Sequence, residues 1–167
     1  SEAYKELGDE DKALEYNQQY MDKNPNAAPT DFMKLAEIYV NKAKKDPAKK
    51  IENIDKAISV YAKLAEKYPT LKPFAKLQEG NTAFQNELDD KAIAAYTEVI
   101  NELEAKQCDE DELSYLKTSY QYMGFIYTYD KQDFDTAKPY WDKLLKLDPQ
   151  NKLANDAYEK AGLKPGE

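Results

Sequence analysis

Apolar residues recur along this chain at intervals of three and four, the spacing of one face of an α-helix. The segments FMKLAEIY and YQYMGFIY share one order: a bulky residue, two spacers, a large apolar residue, a small residue, two spacers and a tyrosine. The small residues are Ala36 and Gly124. A third segment, LQEGNTAF, has Gly80 as its small residue but Ala83 in place of the tyrosine. We expect each small residue to let a neighbouring helix approach closely.

A second pattern alternates with these segments. DKALEYNQQYMDKNP, DKAISVYAKLAEKYP and DTAKPYWDKLLKLDP each have an alanine followed twelve residues later by a proline. Acidic residues open each copy, as helix N-termini prefer, and the proline ends the helix because it cannot extend it. A fourth copy, DKAIAAYTEVINELE, has Glu104 where the proline would fall. The chain is therefore predicted to be all-α and to repeat a pair of helices.

This alternation resembles the signature of the tetratricopeptide repeat family. The resemblance implies a right-handed superhelical solenoid of helix pairs with a concave, ligand-binding face and a C-terminal capping helix. We expect a single domain over residues 1–167. Tyr4 and Gly8 stand where a first helix would end, so we expect a fragment of a longer array. The repeats are expected at about 1–25 (incomplete), 29–69, 73–107 and 109–149, and the capping helix at about 150–163.

Two insertions depart from the family pattern. Ala13 and Ala57 are 44 residues apart, against about 34 in the family. The insertion between them, NKAKKDPAKKIEN, is expected to lengthen both helices around Asp46. The second insertion, NELEAKQCDEDEL, has Asp109 followed three residues later by Glu112. We interpret this pair as a capping box rather than a metal site, because the glycine-containing calcium-loop pattern is missing.

Charge and composition exclude several classes of function. The chain has 24 basic and 32 acidic residues, and its net charge is −8. Every basic residue is lysine, so the forked guanidinium that reads phosphates and guanine edges is absent. Nucleic acid is therefore not an expected partner. No apolar run in the sequence approaches the length that crosses a bilayer, so we expect no direct membrane insertion.

The sequence offers little material for catalysis. Histidine is absent, and the five glycines form no phosphate-binding loop. The single cysteine, Cys108, stands beside acids that should raise its pKa, so we interpret it as a spectator thiol. We expect no enzyme activity, no cofactor and no metal site.

The resemblance implies that the first helix of each pair lines the concave face. The matching positions, which we call the groove candidates, are Thr30, Met33, Glu37, Val40 and Asn41 in the second pair, Phe74, Leu77, Asn81, Phe84 and Gln85 in the third, and Thr118, Gln121, Phe125, Thr128 and Tyr129 in the fourth. They carry one formal charge in a chain that is 34% charged. We therefore expect a groove that binds another protein through an extended peptide or a partner helix. The alternative is a structural scaffold that self-associates or spaces a larger protein, with the groove idle.

The run YQYMGFIYTY is expected to divide between packing and binding. The helical wheel gives it two opposed apolar faces, which predicts a helix with neighbours on one side and a neighbour or ligand on the other. We expect three roles: Tyr120 and Tyr127 in the core, Tyr122 and Ile126 against the next repeat, and Phe125 and Tyr129 in the groove. The competing interpretation is that the groove rings pack against adjacent repeats or the capping helix.

Localisation is the least constrained property. The richness in lysine, tyrosine and asparagine, together with insertions in single repeats, is similar in style to bacterial cell-envelope members of the family. We expect a bacterial periplasmic or envelope location, with the cytoplasm as the alternative.

Overall fold

The computed structural model describes residues 10–166, and no strand occurs among them. The predicted all-α solenoid is confirmed, because consecutive helices pack against one another along the described chain. Short 3₁₀ turns precede α3 and α4, and a π-helical turn, Ile126–Asp130, follows α6. The expected first half-helix at Tyr4 and Gly8 lies outside the described residues. The helices are α1 Glu10–Lys23, α2 Pro29–Lys45, α3 Lys50–Lys67, α4 Lys72–Phe84, α5 Asp89–Glu104, α6 Glu110–Phe125, α7 Phe134–Leu147 and α8 Lys152–Ala161.

Helix α1 packs on α2 and is followed by three helix pairs and a closing helix. Helix α2 packs on α3, α4 on α5, and α6 on α7, and each pair also contacts the next. The first helices α4 and α6 touch each other directly. Helix α8 packs on both helices of the last pair, as the predicted capping helix should.

Close approach of paired helices depends on glycine at two positions. A Cβ atom built on Gly80 would lie 2.6 Å from the Tyr96 ring, and one built on Gly124 would lie 2.5 Å from the Trp141 ring. Both distances are far shorter than a van der Waals contact. The predicted role of the small residue is therefore confirmed in these two pairs, where the second helix supplies a large ring that covers it.

The core of the last helix pair is buried, and it includes Tyr120 as predicted. Tyr120, Ala137, Trp141 and Leu144 each have 4% or less of their surface exposed. Tyr127, which was also predicted to be core, is only partly buried, so that prediction is corrected. Tyr127 belongs to the π turn, which contacts α7, and its ring stacks on Tyr140 with centroids 6.1 Å apart.

Helices begin and end at the capping residues and turns that the sequence predicts. The first insertion lengthens both of its helices, and the Asp46 carboxylate accepts a hydrogen bond from the Ala48 amide in the turn between them. The capping box is present: the Asp109 carboxylate accepts from the Glu112 amide, and Glu112 accepts from the Asp109 amide. Helix α8 ends at Gly162, whose φ of 70° is left-handed and therefore favours glycine.

The capping helix packs through a narrower face than the sequence suggests. The helical period predicts that Leu153, Ala157, Tyr158 and Ala161 lie on its inner side, but Leu153 and Ala161 are exposed. The buried residues are Ala154, Ala157 and Tyr158. Leu153 lies in the first turn of α8, outside this buried set. The contact between α8 and the last pair is therefore made by two small side chains and one large ring.

Two charged residues interrupt the apolar core at α4. Lys76 lies four residues before Gly80, and Glu79 lies directly before it. In the second pair, Phe32 and Leu35 occupy the same two positions relative to Ala36. Glu79 is 6% exposed, and one of its carboxylate oxygens has no hydrogen-bond partner among the described residues. The Lys76 ammonium lies 3.1 Å from Glu79 and 3.1 Å from Glu98. The buried apolar residues accordingly form two clusters that meet at this helix.

The buried carboxyl makes stability depend on pH. Burial raises the pKa of Glu79 above its ordinary value, although Lys76 acts in the opposite direction. The folded state then binds a proton more tightly than the unfolded state. The stability that this group contributes is present below its unfolded pKa and is lost as pH rises through its folded pKa.

Glu79→Gln is therefore expected to gain stability relative to the wild type as pH rises from about 4 to 7. The amide carries no charge to desolvate, and Lys76 keeps Glu98 as its partner. Urea denaturation of both proteins across this range measures the difference. The exposed Glu66→Gln serves as the control, with no comparable trend. A difference between wild type and Glu79→Gln that does not vary with pH would contradict the assignment.

Candidate functional site

The groove candidates lie on α2, α4, α6 and the π turn that continues α6. Fourteen of the fifteen keep some solvent exposure, and Met33 is the most exposed large apolar side chain among them, at 39%. The structure brings the candidates of the third and fourth groups together because α4 touches α6. The exception is Leu77, which is 6% exposed and belongs to the core, so its assignment to the groove is corrected.

Four aromatic rings form a continuous strip where α4 meets α6. Phe84 lies 4.6 Å from Tyr122 and 5.6 Å from Phe125, and Phe125 lies 4.8 Å from Tyr129, between ring centroids. All four are partly buried, so each keeps part of its surface exposed to solvent. We refer to these four residues as the aromatic strip.

Tyr122 differs from the prediction that it packs against the next repeat. Tyr122 stacks on Tyr96 with centroids 5.6 Å apart, which ties it to the preceding pair rather than to the next one. Ile126 is fully buried in the core. The helical wheel separates the two faces of α6, but it does not tell which neighbouring helix each face meets.

The side-chain amides of two groove candidates use their carbonyl oxygens to accept hydrogen bonds from other helices or turns of the chain. Asn81 Oδ1 accepts a hydrogen bond from the Tyr96 hydroxyl at 2.9 Å, and Gln121 Oε1 accepts from Asn151 Nδ2 at 3.2 Å. Within the described residues their own amide nitrogens have no acceptor. These side chains can therefore donate to a ligand carbonyl, whereas their acceptor oxygens are already engaged.

The π turn is a feature that sequence reasoning missed. It widens the helix at Ile126–Asp130, and within it Thr128 Oγ1 accepts a hydrogen bond from the Trp141 indole at 2.9 Å. π turns occur often at functional sites. Just beyond it, Gln132 has a φ of 55°, a left-handed conformation that non-glycine residues seldom adopt.

The structure also contains two concavities. One of about 150 Å³ lies between α1, α2 and α3 and is lined in part by Met21, Phe32 and Val60 of the N-terminal core. The other, of about 440 Å³, lies beside the π turn, between α7 and α8. The second includes Thr128 and Tyr129, so it adjoins the C-terminal end of the groove candidates.

Two further features of the described residues concern metal-ligating side chains and the single thiol. No cluster of three or more metal-ligating side chains occurs within residues 10–166. Burial, and then the Glu112 carboxylate, raise the pKa of the Cys108 thiol, which makes it a poor nucleophile. The helices of the same region include none long and apolar enough to span a bilayer.

Comparison with known proteins gives one match. The family model for the tetratricopeptide repeat matches residues 32–70, which spans most of α2, all of α3 and the turn that follows. No curated protein and no solved structure matches the chain. Repeats of this family generally mediate protein–protein interactions. The match supports a tetratricopeptide repeat at residues 32–70, and the helix pairs that pack in series around it are consistent with a solenoid of such repeats.

Proposed function

We propose that the chain is a non-catalytic interaction module that binds an extended peptide of another protein along its first helices. The observation that carries this proposal is the exposure of the groove candidates. Fourteen of them reach solvent, and Glu37 alone is charged, in a chain of which 34% is charged. Partly exposed rings beside uncharged polar side chains are typical of protein interfaces.

The groove candidates suit a peptide in extended conformation. The aromatic strip offers ring faces to side chains, and the amide nitrogens of Asn81 and Gln121 can donate to backbone carbonyls. Met33 continues the apolar character on α2. An unbranched, flexible thioether adapts to side chains of different shape.

The test is selection of peptides from a random library on the immobilised chain, followed by affinity measurement on variants. Met33→Lys and Gln85→Lys change exposed groove candidates whose side chains make no hydrogen bond or ion pair within the described residues. Each substitution is expected to weaken binding of the selected peptides by about tenfold, because it places a charge on a surface from which the bound peptide excludes water. The matched control is Ile51→Lys, since Ile51 is 61% exposed but lies on the second helix of its pair.

The proposal fails if the selected peptides bind both groove variants as tightly as the wild type. It also fails if Ile51→Lys weakens peptide binding as much as the groove variants do. Failure to select any peptide would also count against it. In that case a molar mass in solution of twice the chain mass would favour the self-associating array.

A further inference from the structure

We propose that the concavity beside the π turn binds a carboxylate carried on an apolar body. It measures about 440 Å³, and the rings of Tyr129 and Phe134 form part of its lining. Ala157 and Ala161 of the capping helix add small apolar side chains. In sites of this composition the walls bury the ligand body, and a few polar groups fix its orientation.

A lysine supplies the positive charge. The Lys160 ammonium lies 4.5 Å from the centroid of the Tyr129 ring, and a cation held over a ring is attracted to its face. Nearby Lys131 and Lys138 pair with Asp90 and Asp142 respectively. Lys160 has no carboxylate partner among residues 10–166. Its charge is therefore available to an anion that enters the concavity.

A hydroxyl supplies a second donor. The Trp141 indole N–H can only donate, so Thr128 Oγ1 is the acceptor of their hydrogen bond. The Thr128 hydroxyl keeps its own hydrogen, for which the described residues provide no acceptor. Gln132, which is exposed and also lines the concavity, offers an amide as a third donor.

The surrounding charges favour a carboxylate over a phosphate. Asp130, Asp133 and Asp135 are exposed and lie within two residues of the lining residues Gln132 and Phe134 in the sequence. Asp133 is engaged in capping α7 through Thr136, but its charge remains. One ammonium balances a single negative charge, and these aspartates repel a doubly charged phosphate about twice as strongly as a carboxylate.

This inference rests on the proposed function in one respect, because Thr128 and Tyr129 are groove candidates. The carboxylate could then be the C-terminus of a peptide that lies along the groove. A free small carboxylic acid would present the same chemistry. The experiment below separates the two sources.

Trp141 provides the readout, since it is the only tryptophan and its indole N–H bonds to Thr128. The ¹⁵N-labelled full chain is titrated with N-acetylphenylalanine and with its uncharged carboxamide. The acid is expected to shift the indole signal, because a carboxylate that accepts from the Thr128 hydroxyl polarises the hydrogen bond behind it. The carboxamide is expected to bind about tenfold more weakly or not at all.

Variants and peptides complete the test. Lys160→Met is expected to weaken binding of the acid by about tenfold or more. Lys152 is an exposed lysine on the same helix, and Lys152→Met is expected to leave the affinity for the acid unchanged. A six-residue peptide ending in phenylalanine should bind more tightly than N-acetylphenylalanine if chain termini are the natural source, and equally if free acids are.

Three results would overturn the inference: equal binding of acid and carboxamide, equal binding to Lys160→Met and the wild type, or no indole shift at about 10 mM acid, which corresponds to very weak affinity. These outcomes differ from failure of the proposed function. That failure is read from the peptide affinities of Met33→Lys and Gln85→Lys, neither of which lines the concavity.

Discussion

Replacing Trp141 by alanine is expected to lower the free energy of unfolding by about 3–5 kcal/mol, the usual cost of truncating a buried large aromatic. The ring is fully buried between α6 and α7, where it covers Gly124. Its indole N–H also donates to Thr128, so the substitution removes a hydrogen bond together with the packing. Urea denaturation followed by far-ultraviolet circular dichroism measures the change.

Tyr16→Ala is the control for that experiment. Tyr16 is 56% exposed, so its truncation is expected to change stability by no more than about 0.5 kcal/mol. If Trp141→Ala unfolds at the same urea concentration as the wild type, the ring does not fill the seam between α6 and α7.

Gly124→Ala is expected to destabilise the chain by about 1–3 kcal/mol, even though alanine is the better helix former. The added methyl group would lie 2.5 Å from the Trp141 ring, and the ring is enclosed on all sides. Either the indole leaves its rotamer or α6 and α7 move apart. The same denaturation experiment measures this loss.

A double-mutant cycle identifies the cause. In a Trp141→Leu background the ring that meets the new methyl group is absent, so Gly124→Ala should cost little or become stabilising. A penalty that stays the same without the ring would show that Gly124 serves some purpose other than close helix approach.

The sequence predicted those parts of the fold that depend on local rules. The proline positions, the Asp109 and Glu112 capping box and the turn around Asp46 follow from chemistry within a few residues. The contacts of Gly80 and Gly124 with large rings follow from the recurrence of one pattern along the chain. Such features need no knowledge of what lies across the helix interface.

Other features depend on neighbours that the sequence pattern does not specify. Lys76 and Glu79 stand where two other pairs have large or apolar residues, and only the approach of Glu98 from α5 explains how the lysine is accommodated. Leu77 is buried because α4 has neighbours on several sides. The π turn adds width to α6 at a place where the sequence shows only a continuing helical period.

The candidate site shows how closely binding and packing are joined in this solenoid. Asn81, Gln121 and Thr128 each use an oxygen to hold another helix. Substituting any of them would disturb stability as well as binding, because it leaves a hydrogen-bond donor without its acceptor. Exposed residues such as Met33 and Gln85 are therefore the better probes of the groove.

Binding along the first helices is tested most directly by ¹⁹F NMR of the chain labelled with 4-fluorophenylalanine. The chain has five phenylalanines, which give five signals. Phe74, Phe84 and Phe125 are groove candidates, whereas Phe32 is 4% exposed and Phe134 packs edge-on against Tyr158. Addition of a peptide selected on the wild-type chain should shift signals of the three groove rings and leave that of Phe32 in place. Shifts confined to Phe32 and Phe134, or unchanged groove signals at saturating peptide, would contradict the account.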